Sequence, residues 1–139
     1  MAKRTATFLG IVFLIVGVVG FVMPDVLGMH LSMVHSIIHL ATGTISLVLG
    51  LRGSLNAARM FCIGFGIVYA LLGIAGFALG TAADPAAGVP GPHDARLFKV
   101  VPGMLELGTM DHLIHIALGA IFIISGFMTR TGAAPAARA

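Results

Sequence analysis

Acidic residues are few in this 139-residue chain: Asp25, Asp84, Asp94, Glu106 and Asp111 are all there are, and charged residues of both signs make up only 9%. No two of these carboxylates lie within one helix turn, so the paired acids of general acid–base catalysis are missing. Cys62 is the only cysteine, which excludes an internal disulfide and a thiolate metal cage. The chain has no Gly-Lys phosphate loop, no nucleophile elbow, no HExxH and no CxxCH haem attachment. Together these absences weigh against an enzyme.

What is abundant is apolar. Hydrophobic residues make up 58% of the chain, and the mean hydropathy is +1.07. A water-soluble domain of this size cannot hide so much apolar surface, so lipid must be the solvent for most of it. Four uncharged runs, 5–23, 31–51, 60–83 and 112–129, each come near the roughly 20 residues that a helix needs to cross a bilayer. They are apolar all round, whereas barrel strands would alternate. The sequence predicts an all-α fold, a bundle of four transmembrane helices in a single membrane domain over 1–139. The first run resembles a secretory signal, but "VMPDVLGM" follows it with no small-x-small cleavage site, and it is read as a retained helix.

Cations sort to one end. Lys3, Arg4, Arg52, Arg59, Arg130 and Arg138 fall on the side of the N-terminus if there are four crossings, while Arg96, Lys99 and all five acids fall on the other. This asymmetry predicts cytoplasmic N and C termini in a bacterial inner membrane. It also accounts for the basic pI of 9.8 without nucleic acid as a partner.

The chain repeats itself. "GIVFLIVGVVGF" (10–21) and "GIVYALLGIAGF" (66–77) agree at six of twelve positions, including all three glycines. "HLATGTISLVLG" (39–50) and "HIALGAIFIISG" (115–126) share His, Ala, Ile and two Gly. The expectation is two tandem helical hairpins, 5–54 and 58–129, related as a parallel internal repeat. His39, Gly43 and Gly50 share one stripe of their helix, as do His115, Gly119 and Gly126. Such glycines mark close helix packing in lipid, although a glycine below a histidine also makes room for a porphyrin edge. The second hairpin contains an extracytoplasmic loop (81–108), in which "ARLFKVVPGML" reads as a short amphipathic piece along the interface. The tail, 130–139, reads as disordered.

Three motifs carry a resemblance. They are His39–Gly43 as HxxxG, "GIVYALLGIAG" with Tyr69, and Asp111, His115 and Gly119 as DxxxHxxxG. In these the chain resembles an uncharacterised bacterial family, a domain of unknown function of small four-helix membrane proteins, over about residues 8–128. The stretch 81–103 matches nothing recognised and reads as this protein's own. The resemblance implies the four-helix membrane fold and settles no function.

The histidines are the unusual feature, since all six (His30, His35, His39, His93, His112 and His115) lie in the half away from the termini. At about 1.5 Å per residue, His39 and His115 sit roughly 10 Å below the outer boundary, at matched depth. One account is structural, with neutral imidazoles bonding to the next helix. A second is a cofactor: His39 and His115 ligating haem b from opposite faces, or one of them a chlorophyll, with His35, His112, Gly43, Gly119 and Tyr69 around it. A third is a transition-metal ion held by His39, His115 and Asp111, with Met29, Met33 and Met110 nearby to suit copper(I). A proton relay through Asp111, the histidines and Tyr69 is a fourth. The role that best fits the whole sequence is a non-catalytic accessory or scaffolding subunit, associating with itself or other membrane-protein subunits. A histidine-ligated redox or pigment protein is the alternative.

Overall fold

A computed structural model describes residues 1–130. Of the tail 130–139 expected to be disordered, 131–139 lie outside the described residues. Each apolar run becomes a helix: α1 (Ala2–Gly20), α2 (Met33–Leu51), α3 (Leu55–Leu79) and α4 (Thr109–Met128). All four are long and apolar enough to cross a membrane.

The helix ends differ from the hydropathy runs because hydrogen bonds, not apolarity, set them. Ser32 caps α2 by accepting the His35 N–H at 3.2 Å, and Ser54 caps α3 by accepting the Ala57 N–H at 3.1 Å. The cap at Ser54 draws Arg59 into the helix. Helix α1 likewise begins among its cations, with the Ala2 N–H donating to Thr129 Oγ1 at 2.7 Å.

The helices pack closely where glycine removes the side chain. A Cβ on Gly10 would stand 3.0 Å from the Gly43 carbonyl, and one on Gly43 would stand 2.9 Å from the Gly10 carbonyl, so α1 and α2 meet backbone to backbone. Gly66 and Gly119 stand in the same reciprocal relation between α3 and α4, at 2.8 Å each way. In lipid such contact is what holds helices together, since apolar burial offers no drive. Hydrogen bonds add to it: Ser46 Oγ donates to the Ala6 carbonyl at 2.8 Å, and Ser125 Oγ to Thr5 Oγ1 at 2.7 Å. Where the two helix pairs meet, Phe13, Phe122 and Tyr69 are buried, with Phe61 and Phe65 packed against them. Cys62 is buried in the same core, its thiol 3.6 Å from the Ala2 carbonyl.

The all-α expectation is modified at one end of the bundle. There β1 (Thr81–Ala83), β2 (Asp94–Val101) and β3 (Leu105–Leu107) form an antiparallel sheet in the order β1-β2-β3. The piece expected to lie amphipathically along the interface is mostly the central strand. Leu97 of β2 and Leu107 of β3 are buried. Glu106 is buried as well, and accepts the N–H groups of Ala86 at 3.0 Å and Gly103 at 2.9 Å. This carboxylate gathers the loop backbone around itself, which is why an apparently irregular connection folds.

Candidate functional site

Beneath the sheet, α2, α3 and α4 bring three histidines and the only tyrosine into one buried cluster. His35 and His39 are four residues apart and so share a face of α2. Their ring centroids are 4.6 Å apart. The His115 ring is 5.9 Å from that of His35, and Tyr69 sets its ring 4.7 Å from His115, edge to face. Phe13 closes the side toward the membrane centre, 5.4 Å from His39. All four polar side chains are at most 6% exposed.

The cluster is sparsely hydrogen-bonded. His35 Nδ1 lies 3.0 Å from the His30 carbonyl. A carbonyl only accepts, so Nδ1 is the donor in this contact. The Nδ1 atoms of His39 and His115 are buried with no partner. A cavity of about 50 Å³ lies beside His35 and His115, lined also by Tyr69, Leu72, Leu105 and Leu107. That is room for water, which needs ~10–15 Å³ of such volume per molecule. These groups can order water and exchange protons with it.

They do not fit a tetrapyrrole. A cofactor pocket of that kind is on the order of 300–1,000 Å³, against about 50 Å³ here. The space beside Gly43 is filled by Gly10 and Leu14, and that beside Gly119 by Gly66 and Ala70, so neither glycine opens a slot for a ring. His112, expected in the same set, faces elsewhere. Its Nε2 is 2.7 Å from the Arg96 carbonyl, and its ring lies against Gly76 and Phe77. It fastens β2 to the helices.

The metal set expected from His39, His115 and Asp111 is not assembled either. Asp111 Oδ2 accepts the His30 N–H at 3.0 Å and the Gly108 N–H at 2.8 Å, and faces the His30 ring at 3.8 Å. Among the described residues, no three His, Cys, Asp or Glu side chains are arranged to hold a metal ion.

A family model matches residues 3–105, about three-quarters of the chain. The chain belongs to the DUF4383 family, a domain of unknown function. No curated protein and no solved structure matches it. The DUF4383 match runs through the 81–103 stretch that read as this protein's own, and ends before α4. It therefore includes His35, His39, Gly43 and Tyr69, but nothing of the Asp111–His115–Gly119 motif.

Two residues that hold this end of the DUF4383 protein together had no sequence signal. His30 is almost fully buried, with Nε2 3.2 Å from the Pro92 carbonyl and Nδ1 toward Asp111. The Asp111 carboxylate raises its pKa above the ordinary 6.5, against the opposing effect of burial, and the Pro92 carbonyl adds to the rise. Asp94 accepts from the Thr109 N–H at 2.9 Å, the Thr109 hydroxyl at 2.7 Å and the Arg96 N–H at 2.7 Å. Burial works to raise its pKa, but these hydrogen bonds outweigh it and hold the carboxyl below its ordinary value. Asp111 and Pro92 for His30, and Thr109 for Asp94, are distant in sequence, and only the fold makes them visible. The sixth histidine, His93, is exposed and pairs with Asp84 at 3.1 Å.

Proposed function

We propose that this DUF4383 protein is a non-catalytic accessory or scaffolding subunit of the bacterial inner membrane, built from two tandem hairpins with both termini in the cytoplasm. The observation that carries the reading is the use made of the buried polar groups. Asp94, Glu106, Asp111, His30 and His112 bond or face backbone groups of the loops, sheet and helix starts. They brace one end of the bundle, and among the described residues the cavities of about 430 and 360 Å³ are lined by none of them.

The reciprocal contacts Gly10–Gly43 and Gly66–Gly119 support the copied hairpin, because residues matched in the sequence repeat make matched contacts. The separation of cations from acids supports the orientation. Exposed Phe8, Ile15, Val18, Val48, Leu71, Ile124 and Phe127 leave the helix faces open to lipid or to neighbouring subunits.

Cross-linking in native membranes tests the role. A discrete, stoichiometric complex is expected, with itself or with other membrane proteins; a protein that stays monomeric in its own membrane sinks the scaffold. Gently purified protein should be colourless, and a Soret band lost in His39→Ala or His115→Ala would replace this reading with the cofactor one. A reporter fused after Ala139 should read cytoplasmic; an outside signal would mean an odd number of crossings or the reversed orientation and would overturn the topology.

A further inference from the structure

At the end of the bundle opposite the sheet, a crevice of about 360 Å³ opens between α1 and the close of α2. Lys3, Arg4 and Thr7 form its mouth, Gly50 its floor, and Phe8 and Ile11 lead out of it along the membrane-spanning part of α1. We infer that this crevice binds one anionic phospholipid, headgroup phosphate at Lys3 and Arg4 and an acyl chain along Phe8, Ile11 and Ile15.

Charge complementarity argues for an anion. Lys3, Arg4, Arg52, Arg59 and Arg130 lie toward this end, and every acid in the chain lies toward the other. Among the described residues, none of these five cations pairs with a carboxylate. The Lys3 ammonium is held at the mouth by the Gly53 carbonyl at 2.9 Å and the Leu51 carbonyl at 3.5 Å. An ammonium has three N–H donors, so one stays free for a ligand in that fixed position. Arg4 is exposed, and its guanidinium makes no hydrogen bond among the described residues.

Shape argues for a lipid over a free phosphate. Phe8, Ile11 and Ile15 are exposed along one side of α1. From Arg4 to Ile15 the helix rises roughly 16 Å, close to half of the ~30 Å hydrocarbon core. A ligand that satisfies both the cations and this track carries a negative head and a leaflet-length chain. Basic pockets between transmembrane helices take acidic lipid headgroups on the same principle. The inference holds whichever way the protein faces, and so stands apart from the proposed topology and role.

Native mass spectrometry tests it, with detergent-purified full-length protein offered equal amounts of phosphatidylglycerol and phosphatidylcholine of the same chains. The wild type should retain one phosphatidylglycerol in preference, and Arg4→Gln should cut that preference roughly fivefold. Lys3→Gln combined with Arg4→Gln should abolish it, while Arg96→Gln at the far end should leave it intact. Labelling of buried Cys62 by a thiol-reactive dye on heating reports that each variant is folded. Equal retention of the two lipids overturns the inference, as does a preference that survives in a folded double variant. Displacement of the lipid by inorganic phosphate would make this a phosphate site and overturn it too.

Discussion

Asp111 Oδ2 accepts the backbone N–H of His30 at 3.0 Å across 81 positions of sequence, and the N–H of Gly108 at 2.8 Å. One carboxylate oxygen thus fixes the entry to α2 against the start of α4. Asp111→Ala leaves two buried N–H groups unpaired, each costing about 1–3 kcal/mol. The variant is expected to lose about 3 kcal/mol or more, and Asp111→Asn, which keeps an acceptor oxygen, distinctly less. Thermal unfolding in detergent, read through exposure of Cys62, checks the order. An Asp111→Ala protein as stable as the wild type would contradict this role.

His30 makes the same junction sensitive to pH. Its folded-state pKa is raised, so the stabilisation is fully present below the ordinary value of 6.5 and fades as pH rises through the higher folded value. Asp94 acts at the acid end: its folded pKa is depressed, so its contribution holds above the ordinary 3.8 and fades as pH falls through the lower folded value. Ring NMR is expected to show His30 titrating above 6.5, and Asp111→Asn should bring that titration down. A His30 ring that titrates below its ordinary value would contradict the pairing.

The four helices were legible because each run of apolar residues is long enough to span a membrane, and a window of hydropathy captures that directly. The glycine faces were legible too, since Gly10, Gly43, Gly66 and Gly119 fall at helical spacing and meet in pairs. The sheet was not. Strands β1 and β3 are three residues each, and they hold their places partly through Glu106 and Asp94, whose partners include the distant backbone groups of Ala86 and Thr109. The histidines were half legible. Helical spacing put His35 beside His39, and matched depth brought His115 to the same layer. It could not reveal that His112 turns to the Arg96 carbonyl or that Asp111 serves His30, because those directions depend on where the loops return.

Glycine substitutions separate close packing from helix propensity. A Cβ on Gly66 would stand 2.8 Å from the Gly119 carbonyl, whereas one on Gly64, two residues earlier in α3, meets nothing within 4 Å. Gly66→Ala is expected to force α3 and α4 apart and cost about 1–3 kcal/mol. Gly64→Ala should be neutral or gain up to about 1 kcal/mol. Thermal midpoints of the two variants, measured in one detergent, make the comparison; equal shifts would mean that α3 and α4 do not meet through glycine.

The histidine cluster yields the sharpest contrast. His35 Nδ1 holds the His30 carbonyl at 3.0 Å, so His35→Leu should cost about 1 kcal/mol in lost hydrogen bonding. His39 Nδ1 is buried with no partner, and its ring touches Phe13 and His35. A polar atom left unpaired in a buried site is a liability that an apolar side chain removes. His39→Leu is therefore expected to leave the thermal midpoint unchanged or raise it. If instead His39→Leu destabilises the protein as much as His35→Leu, then His39 is held by a partner, water or ligand. Repeating the pair of measurements after dialysis against a metal chelator separates those cases, since a bound ion would be lost from the wild type and water would not.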